Sequence, residues 1–248
     1  MKNKQEGFLR SQAEYFVEAD RRKFFWMTQN PYFSSKEKEL VERLNEWQPP
    51  RLLDVGCGEG GNLVNLDYRP ALAVGVDLFE DRCRFGRTQC APAMFVCGDA
   101  YRLPVRSDSF DVVFCRDLLH HVLDKKRLIP EMVRACRPGG RVVCIEACGR
   151  NPVIAGLALA IRAERGLLRC NADVFRALLV EAGLVDVNVR MYQPLPVYRA
   201  LLHPRFGFPS MGETRWYRAC NDWFDRLCAR IIPQRYWAYT AVSGRKPE

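Results

Sequence analysis

A glycine-rich turn directly follows a short apolar run in residues 52–62, LLDVGCGEGGN. Glycine lets a ligand approach the backbone at positions where a Cβ atom would clash. A helix that starts after such a turn also offers free N–H groups to the ligand. Gly56, Gly58 and Gly61 satisfy the GxGxxG spacing of dinucleotide-binding turns as well. The turn therefore predicts a nucleotide-like ligand, but by itself it does not choose between cofactors.

Three aspartates at the ends of successive apolar runs narrow this choice. Asp54 lies just inside the turn, where a carboxylate suits a cationic amino-acid headgroup and would repel a pyrophosphate, although a loop cap is an alternative role. Asp77 ends the next run at the position of a ribose-binding acid, which NAD enzymes share. Asp99 follows the third run, where a carboxylate can bind an adenine amino group. Together they favour an adenosyl ligand that carries a cationic amino acid.

Few side chains are suited to accept a proton near neutral pH, because the chain contains only three histidines. His120 and His121 follow the fourth apolar run, and His203 lies much later. Asp117 and Glu146 are carboxylates at the ends of the fourth and fifth runs, and strand ends of a parallel sheet face the ligand. We expect His120, His121, Asp117 and His203 to include any general base. Packing or helix capping is the alternative role for the two adjacent histidines.

The elements that must position these residues follow from the alternation of apolar runs and helical patterns, which is typical of a parallel α/β sheet. We predict strands at 51–55, 72–77, 94–97, 111–115, 141–148, 184–191 and 236–243. Helices are predicted at 60–66, 80–89, 125–136 and 172–182. Before the sheet, the spacing predicts helices over 11–27 and 35–47, the second opened by a Ser35 cap.

Five motifs in this order make the pattern specific: LDVGCGEG, VGVD, GDA, LPVRSDSFDVVFCRDLLHHV and RPGGRVV, within residues 51–148. This series resembles the class I, Rossmann-like S-adenosylmethionine-dependent methyltransferases, especially the broad group that includes quinone and natural-product enzymes. The resemblance implies an α/β fold with a mostly parallel sheet of about seven strands, the last one antiparallel. It also implies a helical N-terminal segment and a helical insertion before the last strand.

The resemblance further implies S-adenosyl-L-methionine as cofactor and S-adenosyl-L-homocysteine as its product. Asp77 would accept hydrogen bonds from the ribose, and Asp99 would bind adenine. The full set expected to bind the cofactor is Asp54, Gly56, Cys57, Gly58, Gly60, Asp77, Leu78, Asp99, Ala100 and Cys115. The residues expected to line the substrate pocket are Tyr15, Trp26, Arg116 and Glu146. The fourth strand ends in CRDL and not in an NPPY-type clamp, which disfavours DNA adenine or protein glutamine as acceptor.

The chain divides into four predicted regions. Residues 1–49 form a helical lid, 50–192 the cofactor-binding core, 193–234 a helical and aromatic substrate cap, and 235–248 the final strand and tail of the core. Aromatic residues are concentrated in both flanks. The flanks therefore either cap the sheet edges or line an apolar acceptor pocket, and both roles are compatible.

The segment 151–169 reads as one apolar helix that ends in Arg162, Arg165 and Arg169. It is either a buried cap helix or a contact with a membrane surface or lipid tail. The leading hypothesis is thus methyl transfer to a small or lipid-like metabolite. The net charge of +9 keeps RNA as an alternative acceptor, although no RNA-binding motif is evident and nucleic acid is less favoured. A cofactor-binding regulator without activity is a third, weaker alternative.

The eleven cysteines contain no CxxC pair. This disfavours a zinc site and favours reduced thiols, so we expect no metal. The longest apolar run, 153–161, is too short to cross a bilayer, and residues 1–10 are polar and charged. We therefore expect a cytoplasmic protein, with peripheral contact at the inner membrane face as a further possibility.

Overall fold

The computed structural model describes residues 30–202 and 207–248. Within them the chain forms one seven-stranded sheet in the order β3-β2-β1-β4-β5-β7-β6. Strands β1 to β5 are parallel, whereas β7 runs antiparallel between β5 and β6. The strands are β1 (Arg51–Val55), β2 (Leu72–Asp77), β3 (Met94–Cys97), β4 (Phe110–Arg116), β5 (Cys136–Ala147), β6 (Val185–Tyr192) and β7 (Tyr239–Arg245). The predicted α/β fold class, with its antiparallel last strand, is confirmed.

Helices connect the strands and cover both faces of the sheet. They are α1 (Pro31–Leu40), α2 (Glu42–Trp47), α3 (Gly61–Val64), α4 (Glu80–Gln89), α5 (Lys125–Ala135), α6 (Pro152–Ala160), α7 (Ala172–Glu181), α8 (Tyr198–Leu201) and α9 (Arg215–Ile231). Short 3-10 helices occur at Leu119–His121, Arg162–Arg169, Pro209–Glu213 and Gln234–Tyr236. In the described residues, no helix combines the length and the apolar character that a membrane span requires.

Helix α1 starts earlier than the helix predicted over 35–47, whereas the helix predicted over 11–27 lies outside the described residues. The cap of α1 is Asn30, whose side chain accepts a hydrogen bond from the Phe33 N–H, and Pro31 occupies the first helical position. Both are strong helix-start signals. Ser35 lies inside the helix, where its hydroxyl donates to the Tyr32 carbonyl at 2.7 Å. The predicted Ser35 cap is therefore wrong.

The predicted continuous helix over 151–169 is also wrong. Asn151 caps α6 by accepting from the N–H groups of Val153 and Ile154, but α6 ends at Ala160. The backbone is extended at Ile161, and residues Arg162–Arg169 form a 3-10 helix. Near the other end of the chain, Tyr236, the residue expected to open the last strand, lies in the 3-10 helix Gln234–Tyr236, and β7 begins at Tyr239.

The apolar core has two layers, one on each face of the sheet. On one face, helices α5 and α7 bury residues such as Met132 and Phe175. On the other face, α1, α2 and α6 bury Leu40, Leu44 and Ile154. Residues 31–47 are therefore packed on a face of the sheet.

A third cluster joins the N-terminal flank to the segment before the last strand. Phe33 and Tyr32 pack against Tyr198 and Tyr217 with edge-to-face ring geometry. These contacts fix α1, α8 and α9 to one another next to the carboxyl end of the sheet, where the polar residues described below converge.

Candidate active site

The three aspartates of the sequence motifs lie at neighbouring strands on the carboxyl edge of the sheet. Asp54 is near the end of β1, Asp77 ends β2, and Asp99 follows β3 by two residues. Because β1, β2 and β3 are adjacent and parallel, the three side chains face the same edge. The fold thus brings together the carboxylates that the sequence grouped by motif alone.

Asp77 holds the glycine turn in place. One carboxylate oxygen accepts from the Gly58 N–H at 2.9 Å, and the other accepts from the Phe79 N–H at 3.0 Å. A carboxylate has about four acceptor sites, so capacity remains for ligand hydroxyls. Asp99 is exposed, and one of its oxygens accepts from the Tyr101 N–H at 2.8 Å. The neighbouring Leu78 is also exposed, as a residue that contacts a flat ring requires.

The glycines of the turn have two different reasons to be glycine. At Gly58, where φ is 53°, an added Cβ would meet only the Arg82 guanidinium at 3.5 Å, and at Gly61 it would meet nothing within 4 Å. This side of the turn is open to a ligand. At Gly60, an added Cβ would lie 2.7 Å from the Phe95 ring, so this glycine is required by packing.

Asp54 is fully buried beneath the turn. One of its oxygens accepts from the Asn62 amide at 3.1 Å, whereas the other has no hydrogen-bond partner. Burial raises the pKa of Asp54 to about 7, against the opposing effect of the Asn62 hydrogen bond. An orphaned buried carboxylate oxygen beside an open glycine turn fits the cationic methionine end of S-adenosylmethionine.

Two cysteines assigned to this site point elsewhere. Cys57 is buried against Cys83 and Phe95, and Cys115 is fully buried in the core of the sheet. Their thiols fill apolar space, so only their backbone is available to line a cofactor pocket.

A charged cluster lies at the ends of β4 and β7. The buried Glu37 carboxylate binds the guanidinium groups of both Arg116 and Arg199. Burial opposes its ionisation, but the two cations outweigh burial and hold the pKa of Glu37 below its ordinary value. Arg116 also donates to the Asn62 amide oxygen, which connects this cluster to Asp54.

Asp117 follows β4 within this cluster and is partly open to solvent, with 35% of its side chain exposed. Its carboxylate lies 3.3 Å from the Tyr239 hydroxyl, which donates to it, and 3.4 Å from Arg116 Nε. Burial and the nearby Glu146 raise the pKa of Asp117 to about 6, although Arg116 opposes them. Asp117 is therefore ionised at neutral pH but close to its titration range, as a general base should be.

The two adjacent histidines occupy a different environment. His120 Nδ1 lies 2.6 Å from Glu146, and its Nε2 lies 3.0 Å from Glu164. Burial acts to lower the pKa of His120, but the two carboxylates raise it to about 10. Burial and the neighbouring His120 lower the pKa of His121 to about 3. In this arrangement neither histidine is a ready proton acceptor at neutral pH, and Asp117 is the better candidate.

Sequence reasoning missed Glu37, Glu164 and Tyr239. Glu37 and Glu164 lie in helical segments far from the motifs along the chain, and Tyr239 lies inside a predicted strand. Their contacts with Arg116, His120 and Asp117 are long-range and leave no local sequence signal. Tyr15, Trp26 and His203 lie outside the described residues, so their predicted roles stay predictions.

Comparison with known proteins identifies the same region. A family model described as a methyltransferase domain matches residues 53–144. Methyltransferase GfsG of Streptomyces halstedii is 27% identical over 85% of this chain and 79% of its own length. Demethylmenaquinone methyltransferase of Roseiflexus castenholzii is 41% identical over 42% of this chain and 46% of its own length. This chain covers between 32% and 58% of the length of three further relatives.

A solved structure from Thermotoga maritima, described as a SAM-dependent methyltransferase and possible histamine N-methyltransferase, shares the fold. It superposes with a TM-score of 0.64 at 19% identity, over 94% of this chain and 97% of that one. The matched domain contains the glycine turn, the three aspartates and the polar end of β4. Residues 53–144 therefore match a methyltransferase domain, and the fold of the chain is that of solved S-adenosyl-L-methionine-dependent methyltransferases.

Proposed function

We propose that this chain methylates a small, uncharged apolar or amphiphilic metabolite, with Asp117 as the proton acceptor. The observation that carries this proposal is the charge balance at the end of β4. Two guanidinium groups, Arg116 and Arg199, face two carboxylates, Glu37 and Asp117. This cluster therefore has no surplus cation to bind a phosphate group. The buried Tyr239 ring lies 4.5 Å from the Arg199 guanidinium, and its hydroxyl donates a hydrogen bond to Asp117.

The cofactor supplies, when bound, a methyl group that its sulfonium has already activated. Asp54, Asp77 and Asp99 would bind and orient it from the strand ends, with Gly58 and Gly61 leaving room on the turn. Asp117 would hold the acceptor by a hydrogen bond and take its proton, and the Tyr239 hydroxyl would steady the carboxylate. Positioning of this kind supplies several kcal/mol toward the rate.

One relative supports this acceptor class. The Roseiflexus relative is named for a quinone substrate. This name describes that protein, and it makes apolar metabolites the first acceptors to test.

The test is mass spectrometry of extract from the source cells after incubation with the enzyme and methyl-deuterated S-adenosylmethionine. We expect label in one or a few small, organic-soluble metabolites. The Asp117→Asn variant should incorporate much less label while it still binds S-adenosylhomocysteine. Label confined to RNA, together with salt-dependent retention of the protein on RNA, would favour the alternative acceptor and overturn this proposal.

We also propose that helix α9 contacts an anionic membrane surface when the protein collects an amphiphilic acceptor. Trp216, Trp223, Leu227 and Ile231 are exposed and share one face at helical spacing. Exposed arginines such as Arg226 and Arg230 border this face. An apolar stripe with cationic borders is typical of helices that lie in the interface of anionic bilayers.

Co-sedimentation with vesicles tests this contact. Wild type should bind phosphatidylcholine vesicles that contain phosphatidylglycerol, and it should bind pure phosphatidylcholine more weakly. Replacing Trp216 and Trp223 by serine should abolish binding. The matched control replaces Val174 and Val180, two exposed apolar residues on α7, by serine. Equal vesicle binding by both double variants would refute the proposed membrane face.

A further inference from the structure

Two histidines and a glutamate that the proposed chemistry does not use lie side by side beyond β4. These residues are His120 and His121 in the 3-10 helix after the strand, and Glu164 in the 3-10 helix after α6. One possible ligand atom from each residue lies within 4.8 Å of the other two. The imidazole rings of the two histidines are 3.8 Å apart between centroids, so both occupy the same side of their turn.

The surroundings of His120 are those of a metal-ligating histidine. Its Nδ1 lies 2.6 Å from Glu146, a fully buried carboxylate whose other oxygen accepts from the Leu119 N–H at 2.7 Å. A carboxylate on one imidazole nitrogen fixes the ring and directs the other nitrogen to the metal in most histidine sites. This arrangement leaves His120 Nε2 facing Glu164.

The spacing at that nitrogen suits coordination. His120 Nε2 and the Glu164 carboxylate oxygen are 3.0 Å apart. In a tetrahedral zinc site with bonds of about 2.0–2.1 Å, neighbouring ligand atoms lie roughly 3.3 Å apart. A metal ion between these two atoms therefore requires only a small movement of the side chains.

A glycine holds the two segments in this position. The Arg162–Arg169 helix approaches the first segment at Gly166, where an added Cβ would lie 2.2 Å from the His120 carbonyl oxygen. Any larger residue at 166 would push Glu164 away from the histidines. The close backbone contact explains how a carboxylate distant in sequence comes to complete the cluster.

The geometry points to a site for a divalent transition metal of the zinc type, bound by His120, His121 and Glu164 with Glu146 behind His120. Two imidazoles and one carboxylate suit zinc, cobalt or nickel better than magnesium or calcium, which prefer oxygen ligands. Three protein ligands leave a coordination position for water or another oxygen ligand, as in catalytic zinc sites. Binding at this site does not depend on the proposed acceptor or on methyl transfer.

Cobalt(II) titration of the purified, metal-stripped chain under reducing conditions tests the site. Cobalt reports its ligands by colour, so a site of nitrogen and oxygen ligands is distinguished from binding by the eleven cysteine thiols. We expect one equivalent to bind with visible d–d absorption, no sulfur charge-transfer band, and competition by zinc. Glu164→Gln and, separately, His121→Gln should weaken binding roughly tenfold or more, since even outer partners change affinity 10–100-fold.

Glu181→Gln is the matched control, because this glutamate is exposed and pairs only with Lys126 among the described contacts. It should bind cobalt like wild type. Circular dichroism and S-adenosylhomocysteine binding verify that each variant is folded. Equal affinity in the Glu164→Gln and Glu181→Gln variants, or a spectrum of thiolate ligation alone, would overturn the proposal. The cluster would then be a metal-free arrangement in which His120 bridges two carboxylates.

Discussion

At the scale of single residues, surroundings give four acids of similar chemistry different tasks. Glu37 is held ionised between two arginines, whereas burial raises the pKa of Asp54 to about 7 and that of Asp117 to about 6. Asp77 accepts one hydrogen bond from Gly58 of the glycine turn and one from the Phe79 N–H. When their surroundings give neighbouring groups different pKa values, one group can bind a ligand while another transfers a proton.

Asp117→Asn should remove the acidic limb of the pH–rate profile. Asp117 must be ionised to accept a proton, so the wild-type rate should rise with pH through about 6. Burial is the main cause of the raised pKa of Asp117, and the charges of Arg116, Glu146, His120 and Arg199 modify it. Initial rates from about pH 5 to 8 measure the pH–rate profile. The control is the Asp173→Asn variant, because Asp173 is an exposed acid. A wild-type limb that persists in Asp117→Asn would assign the base to another group.

Asp54→Asn should separate stability from cofactor affinity. The pKa of Asp54 rises from 3.8 to about 7 on folding, so its proton is held more tightly in the folded state. This group therefore contributes stability at low pH that is lost as pH rises through about 7. Relative to wild type, Asp54→Asn should gain free energy of unfolding as pH rises from about 5 to 8, measured by urea denaturation.

The same variant should bind S-adenosylhomocysteine more weakly at about pH 8, because a neutral amide gives the ammonium group of the ligand a weaker hydrogen bond than a carboxylate does. Titration calorimetry at about pH 5 and at about pH 8, the two ends of the same range, measures this affinity. Unchanged affinity at both pH values would show that the orphaned Asp54 oxygen faces no cationic ligand.

Asp77→Ala and Asp99→Ala should each weaken cofactor binding by ~1–3 kcal/mol, the usual cost of stranding polar ligand groups. Their effects on stability should differ. Asp77→Ala also leaves the N–H groups of Gly58 and Phe79 without their acceptor, whereas Asp99→Ala releases only the N–H of the exposed turn at Tyr101. Calorimetry measures the cofactor affinity of both variants, and thermal unfolding measures their stability. A cofactor affinity equal to that of wild type would show that neither acid belongs to the site.

At the scale of elements, sequence patterns predicted the central strands well and the flanks less well. The bounds of β1, β2 and β3 match the prediction because apolar runs, glycine turns and aspartates mark them locally. After the break in the 151–169 segment, the Arg162–Arg169 helix closely approaches the His120 carbonyl at Gly166. A contact between residues so distant along the chain has no local signal, so the segment read as one helix.

Phe33→Ala should destabilise the whole chain. Phe33 is 1% exposed and packs with Tyr198, and it connects α1 to α8. Loss of a buried phenylalanine side chain typically costs about 3–5 kcal/mol in free energy of unfolding. Phe208, with 66% of its surface exposed, is the matched control, and Phe208→Ala should unfold like wild type in urea. If Phe33→Ala lost as little free energy of unfolding as Phe208→Ala, helix α1 would not be an integral part of the core.

This packing changes how the predicted lid should be tested. Residues 1–29 lie outside the described residues, so the lid over 1–49 stays a prediction for that part. A deletion of residues 1–29 keeps Asn30, Tyr32 and Phe33, and it should leave the sheet folded while turnover falls. Full turnover after this deletion would refute a lid role for the N-terminal segment.

At the scale of the whole molecule, the order of motifs predicted the fold class, and the resemblance supplied the antiparallel last strand. The charged cluster of Glu37, Arg116, Arg199 and Asp117 was not predictable, because it gathers residues from both flanks around the end of β4. Aromatic surplus indicated that the flanks pack on something apolar, but only the tertiary structure distinguishes Phe33 in the core from the exposed Trp216 and Trp223.

Calorimetric titration of the wild-type chain with S-adenosylhomocysteine and with NAD tests the central claim most directly. The orphaned Asp54 carboxylate beside the glycine turn suits the ammonium group of an amino-acid headgroup and repels a pyrophosphate. S-adenosylhomocysteine should therefore bind at least about a hundredfold more tightly, a difference of about 2.7 kcal/mol. Comparable affinities for the two ligands would contradict the assignment of the glycine turn and its aspartates to S-adenosylmethionine.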